Sequence, residues 1–229
     1  MKHELLEALA ETRQREADLG ALVTEEAPDP SGRWRVQDHL SHLSWLRERE
    51  ARVIDAVRTG GDIPPRHEGD RDLSAVIYDA TRDQTASTVI ANSERSWDLL
   101  LAAIEACSEE DFARPHPHRE GRKLVDESPA DHVGAHLMWA YLDAGDEKAA
   151  EAVQLWARDL SNRMFDDPRS RGVASYNVGC FYARVRRAGE ALPLLREGIE
   201  LSPQLKEWAK QDPDLAPIRH DPGLIQLLA

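Results

Sequence analysis

Residues 34–61 read WRVQDHLSHLSWLREREARVIDAVRTGG, and their spacing decides the class of fold. Val36, Leu40, Leu43, Ile54 and Val57 fall on one side of a helix and form an apolar stripe, which Gly60-Gly61 then stops. The same period extends in both directions. Leu5, Leu9, Leu19, Leu22 and Val23 make a stripe across residues 3–25, and Val89, Trp97, Leu100, Leu101 and Ile104 make another over about 84–107. A fourth helix opens at Ser128-Pro129-Ala130-Asp131, where serine caps, proline suits the first helical position and the acid reaches back to the cap. Its buried face is Val133, Leu137, Ala140 and Tyr141. Polar connections at 60–73 and 108–127 separate these helices. No stretch alternates apolar and polar residues cleanly, and no Asn-Gly or Asp-Gly hairpin turn occurs. The expectation is an all-α protein whose residues 1–146 form an antiparallel four-helix bundle.

Past Gly145 the pattern changes. Residues 147–163, 172–186 and 188–201 are short, alanine-rich helical segments, with 165–170 as a connecting loop. Pro203, Pro213, Pro217 and Pro222 punctuate the tail before a last apolar helix containing Leu224, Ile225, Leu227 and Leu228. Gly179, Tyr182, Ala191, Leu195 and Pro203 sit at the offsets of a tetratricopeptide repeat, so residues 172–205 resemble one. Gly198 stands where that family usually has alanine, which predicts looser packing of the second helix. Leu137, Tyr141, Ala150 and Ala157 echo the same offsets, so the fourth bundle helix would also begin a helical pair. The second domain is then a tetratricopeptide-like segment over 147–229. A single repeat needs neighbours, and the bundle and the terminal helix are the candidates.

Composition narrows the function. The 229 residues carry a net charge of −13, with 41% hydrophobic and 31% charged residues. That balance describes a globular protein, and its negative field with no basic stripe argues against nucleic acid as a partner. Two cysteines, Cys107 and Cys180, and the lack of a charged-then-apolar leader predict a reducing cytoplasm. No apolar run approaches the roughly 20 residues that a membrane helix needs.

Nine histidines are the unusual feature. His132 and His136 are four apart, which puts both rings on one helical face with roughly 6 Å between their Cβ atoms. Two imidazoles so placed can chelate one divalent metal. His39 and His42 lie one turn apart within Asp38-His39-Leu40-Ser41-His42-Leu43. His42, like the 132/136 pair, sits at the flank of its stripe and borders an inter-helix cleft. His39 points nearer the stripe centre, as either a buried core histidine or a general base. Three histidines from two helices would leave a coordination position open, as a catalytic site requires.

The run Trp34-Arg35-Val36-Gln37-Asp38-His39-Leu40-Ser41-His42-Leu43-Ser44-Trp45 resembles the second-helix signature of the DinB-like superfamily. Pro117, Gly121, Arg122 and Leu124 look most like its ClbS/DfsB branch. The resemblance spans about residues 1–145 and implies a four-helix bundle whose metal ligands here are His42, His132 and His136. His39 stands where the family is usually apolar, and Ala75 where the branch shows an asparagine. A divalent ion, zinc or nickel from the imidazole donors, would act as a Lewis acid toward a reactive small molecule, by hydrolysis or by thiol-dependent transfer or isomerisation. His39, or His116 and His118 of the loop before the last helix, would be the base. The simpler expectation for His116 and His118 is solvent exposure beside two prolines.

Other groups promise less. The acids after Cys107 should blunt its thiol, and Cys180 fits an apolar helix face. Asp166-Asp167 reads as solvated surface, while Trp45, Trp139 and Trp156 line either a pocket or the core. The competing reading is a non-catalytic scaffold that binds a basic protein partner through the repeat. Bundles of this type often pair through an outer helix face, which leaves a homodimer open.

Overall fold

The structure is a computed structural model that describes residues 2–67, 71–120, 122–125 and 131–229. The described residues are helical, with no strand among them and one isolated bridge, Pro115 to Lys123. The chain forms two compact units, Met1–Glu127 and Ser128–Ala229.

In the first unit, α1 (Lys2–Gly20), α2 (Val36–Thr59) and α4 (Ala86–Ala106) pack on one another, and α3 (Leu73–Thr81) lies against α2. Leu5, Leu9 and Leu19 of α1, Leu40, Leu43 and Ile54 of α2, and Val89, Trp97 and Ile104 of α4 are buried and make up the core of this unit. The expected stop at Gly60-Gly61 is present. Gly60 takes φ 71°, and its N–H and that of Gly61 both donate to the Ala56 carbonyl. The first stripe is shorter than its periodicity implied. Helix α1 ends at Gly20, leaving Leu22 exposed and Val23 half-buried in the loop that follows.

A buried ion pair pins the three long helices. Both guanidinium nitrogens of Arg47 donate to Glu16, at 2.7 and 2.9 Å, and Arg47 Nε donates to Ser96 Oγ at 3.0 Å. Ser93 Oγ and Trp97 Nε1 donate to Glu16 Oε1 at 2.6 and 3.2 Å, and the Arg47 guanidinium lies 3.8 Å over the Trp97 ring. Every partner is satisfied, which is what makes a buried pair tolerable and fixes how the helices meet.

The connection over 108–127 contains a helix that apolar spacing alone did not show: α5 (Glu109–Ala113). Ser108 Oγ accepts from the Asp111 N–H, and Asp111 accepts from the Ser108 N–H. This reciprocal cap holds a helix of five residues, too short to display a period.

The second unit begins with α6 (Asp131–Asp143), so the Ser128-Pro129-Ala130 turn expected to start it lies outside the described residues. Helix α6 packs on α7 (Glu147–Met164), α7 on α8 (Pro168–Arg184), and α8 on α9 (Ala188–Leu201). Loops of a few residues make each neighbouring pair a helical hairpin. The connection expected over 165–170 is shorter. Asp167 accepts from the Ser170 N–H, and Pro168 occupies the first turn, so α8 starts there.

Gly198 corrects a second expectation. It does not loosen the packing of α9. A Cβ at Gly198 would lie 2.9 Å from the Gly172 carbonyl, and one at Gly172 would lie 2.9 Å from the Gly198 carbonyl. The paired glycines therefore let the backbones of α8 and α9 touch, at a distance alanine would forbid. Gly179 makes room for the Leu195 side chain, whose Cγ and Cδ2 would lie 2.9 Å from a Cβ there. Phe181, Leu195, Leu215 and Leu224 are fully buried in this core. Helix α10 (Leu205–Ala209), a 3-10 turn over Pro213–Ile218 and α11 (Pro222–Leu228) close it, α10 and α11 against α9 and the turn against α8. The terminal helix thus covers part of α9.

Candidate metal centre

The second unit carries the histidine pair. One turn of α6 brings His132 Nε2 and His136 Nε2 to 3.1 Å, with ring centroids 4.7 Å apart and planes at 81°. His136 is buried, His132 is exposed, and the His136 ring meets the Trp139 ring edge-on at 5.0 Å. Two nitrogens each about 2.1 Å from a tetrahedral zinc are about 3.3–3.4 Å apart, and in an octahedral site about 3.0 Å. The observed spacing lies between these, so the pair is already at chelating distance. At 3.1 Å one neutral ring donates a hydrogen to the other. Accepting a cation would require that ring to shift its hydrogen to Nδ1.

What positions the pair is a residue that sequence reasoning overlooked. Gly134 lies between the two histidines, and a Cβ there would be 2.9 Å from Ala157 Cβ on α7. Its carbonyl accepts from Gln154 Nε2 at 2.9 Å in a buried hydrogen bond. The missing side chain seats α6 on α7, and the glutamine holds that register. An isolated glycine inside a helical pattern was the available signal.

The first unit carries His39 and His42, both buried on the first turns of α2. The start of that helix is clamped. Arg35 N–H donates to Asp38 Oδ2 at 2.8 Å, and the Arg35 guanidinium takes the same carboxylate in a fork at 2.9 and 2.7 Å. The guanidinium also donates to the carbonyls of Glu26 and Arg82, tying two loops to the helix start. Trp34 is thereby set over both histidines, its ring centroid 5.1 Å from His39 and 5.2 Å from His42. Tyr78 of α3 stacks on Trp34 at 6.2 Å, with planes 6° apart. Burial pushes His39 down to about 4, against the attraction of Asp38, with His42 lowering it further. It is neutral at pH 7 and a weak proton acceptor.

His116 is not solvent-exposed, contrary to the simpler expectation. It is buried, its Nδ1 accepts from the His118 N–H at 3.1 Å, and its Nε2 donates to Glu50 at 3.2 Å. The acceptor role of Nδ1 fixes the hydrogen on Nε2. Both nitrogens are committed to holding the loop, so this ring is structural. His118 is half-buried, with Nε2 donating to the Pro64 carbonyl at 2.7 Å.

The cysteines are packing residues. Cys107 is buried and donates to the Ala103 carbonyl at 3.3 Å, and burial, then Asp111, raises its thiol above the ordinary range. Cys180, Asp212 and Asp214 offer donor atoms within 4.8 Å of one another. Those atoms are already employed: Asp212 caps the 3-10 turn through the Asp214 N–H and accepts from Tyr176 Oη at 2.8 Å and Cys180 Sγ at 3.6 Å. Asp166 and Asp167 divide their roles, the first pairing with Arg171 at the surface and the second capping α8. Among the described residues no helix is long and apolar enough to cross a membrane.

No family model, no curated protein and no solved structure matches this chain.

Proposed function

We propose that this protein is a metal-dependent enzyme in which His42, His132 and His136 hold one divalent cation, zinc or nickel. The reading rests on the DinB-like resemblance of the second-helix run together with the histidine pair at chelating distance. The observation that carries it is the 3.1 Å separation of His132 Nε2 and His136 Nε2. Imidazole donors suit zinc and nickel. Three neutral imidazoles leave the whole +2 charge on the ion, which then supplies Lewis-acid chemistry toward an electrophilic small molecule. Hydrolysis and thiol transfer are the reaction classes that fit.

The chain's own residues supply position and dryness. Gly134 and Gln154 hold the pair in register, and Trp139 shields one side of His136. Trp34, braced by Tyr78 and by the Arg35–Asp38 clamp, covers His39 and His42. His39 is the proton acceptor of this proposal, neutral at working pH.

The test is elemental analysis of the purified chain and of His42→Ala, His132→Ala and His136→Ala variants. The expected result is about one zinc or nickel per chain, lost in each variant while helical circular dichroism is kept. Metal content that ignores all three substitutions, or a metal-free chain that binds neither ion on titration, overturns the proposal.

A further inference from the structure

The loops that follow α2 and α5 meet within the first unit and border an open cleft of about 560 Å³. That volume lies in the range of small-molecule sites. Pro65 and Arg66 contribute one part of the lining, and residues 116–120 contribute the rest. The histidines of the second loop are spent on building it. His116 is bonded to Glu50 on α2, His118 to the Pro64 carbonyl of the opposite loop, and Arg114 to the Val57 carbonyl at 2.6 Å. The His116 N–H donates to the Arg122 carbonyl at 2.8 Å, and four prolines (64, 65, 115 and 117) restrict both loops. The walls are therefore joined before any ligand arrives, which lowers the ordering cost of binding.

The charge of the lining is unusual for a chain of net charge −13. Two guanidiniums, Arg66 and Arg119, line the cleft against one carboxylate, Glu120. Glu50 reaches Arg119 at 3.5 Å, and Arg66 is an exposed side chain that forms no ion pair among the described residues. Guanidinium forks match the oxygens of a phosphate, and two of them in one lining favour a dianion. Pro65 and Pro117 offer apolar ring surface beside them.

We propose that this cleft binds the phosphate monoester of a small organic molecule, the phosphate on Arg66 and Arg119 and the organic part against Pro65 and Pro117. The site shares no residue with the proposed metal centre: its ligand contacts, Arg66, Arg119, Pro65 and Pro117, lie on the two loops of the first unit. It does not depend on the enzymatic reading.

The test is calorimetric titration of the full chain with phenyl phosphate and, separately, with inorganic phosphate. A chelator is present and ionic strength is held constant, so that neither a metal nor bulk screening reports. The expected result is saturable binding, tighter for phenyl phosphate. Arg66→Ala should weaken it roughly tenfold or more, since the bond lost joins two charged groups, and Arg66→Lys should weaken it less. A His132→Ala/His136→Ala double variant should bind as the parent does. Absence of saturation, equal affinity for the two probes, or binding indifferent to Arg66→Ala overturns the proposal. Loss of binding in the histidine double variant does so too, by placing the phosphate elsewhere.

Discussion

Replacing Glu16 by alanine removes the acceptor at the centre of the α1–α2–α4 contact. Four donors lose their partner: two nitrogens of Arg47, the Ser93 hydroxyl and the Trp97 indole. The severe consequence is the stranded cation, because the Arg47 side chain is only 5% exposed and cannot rehydrate without opening the helix packing. Breaking a buried pair from one side costs about 3–5 kcal/mol. A unit ending at Glu127 unfolds with an entropy of about 0.27 kcal/mol/K at the usual per-residue value, so its melting temperature should fall by about 11–19 °C. Thermal unfolding followed by circular dichroism at pH 7 measures this. The double variant Glu16→Leu/Arg47→Met removes both charges together and should recover most of the loss, as hydrophobic replacement of buried pairs does. The reasoning is refuted if Glu16→Ala melts within about 2 °C of the parent, or if the double variant is as unstable as the two single changes combined.

Other consequences can be checked alongside. Gly134→Ala should push α6 from α7, costing about 1–3 kcal/mol and weakening zinc binding. Adding Ala157→Gly should restore both, read by thermal unfolding and metal titration. Gly198→Ala should destabilise the second unit by a similar amount, about 1–3 kcal/mol, because its new methyl meets the Gly172 carbonyl and Tyr176 Cβ. Asp212→Ala should cost about 1–3 kcal/mol by uncapping the 3-10 turn and orphaning the buried Tyr176 hydroxyl, measured by urea unfolding. Acid should also act through His39, whose folded value of about 4 lies below the unfolded value of 6.5. The unfolded chain then binds the extra proton, so stability is full above pH 6.5 and falls as the pH drops toward 4, by up to about 3 kcal/mol. With chelator present, His39→Leu should flatten that part of the urea-midpoint profile, and an unchanged slope would reject the assignment.

The helices were legible to different degrees, and the reasons are physical. Stripes such as Val36–Leu40–Leu43 are local, because one helix turn brings those positions together whatever the rest of the chain does. Gly60-Gly61 acts the same way, since only glycine takes that left-handed stop cheaply. Helix α5 was hidden because five residues cannot show a period, although Ser108 and Asp111 spelled its cap. Apolar spacing starts α8 too late, because Asp167-Pro168 has the composition of a loop yet serves as its cap and first turn. The role of Gly198 is invisible in sequence because a glycine's effect depends on what approaches it, and that neighbour, Gly172, sits on another helix.

Sequence alone determined the helical class, the negative field that disfavours polyanions, and the shared helical face of His132 and His136. Each of these follows from residue type or from spacing within one turn. Tertiary structure decided the rest: the Glu16–Arg47 pin, the burial of His116 on Glu50, the aromatic cover over His39 and His42, and the backbone contact at Gly172 and Gly198. These join residues far apart in the chain or depend on how one helix is seated on another. Such pairings come from packing, where each buried polar group must find a partner and each close approach needs room, and no local period records them.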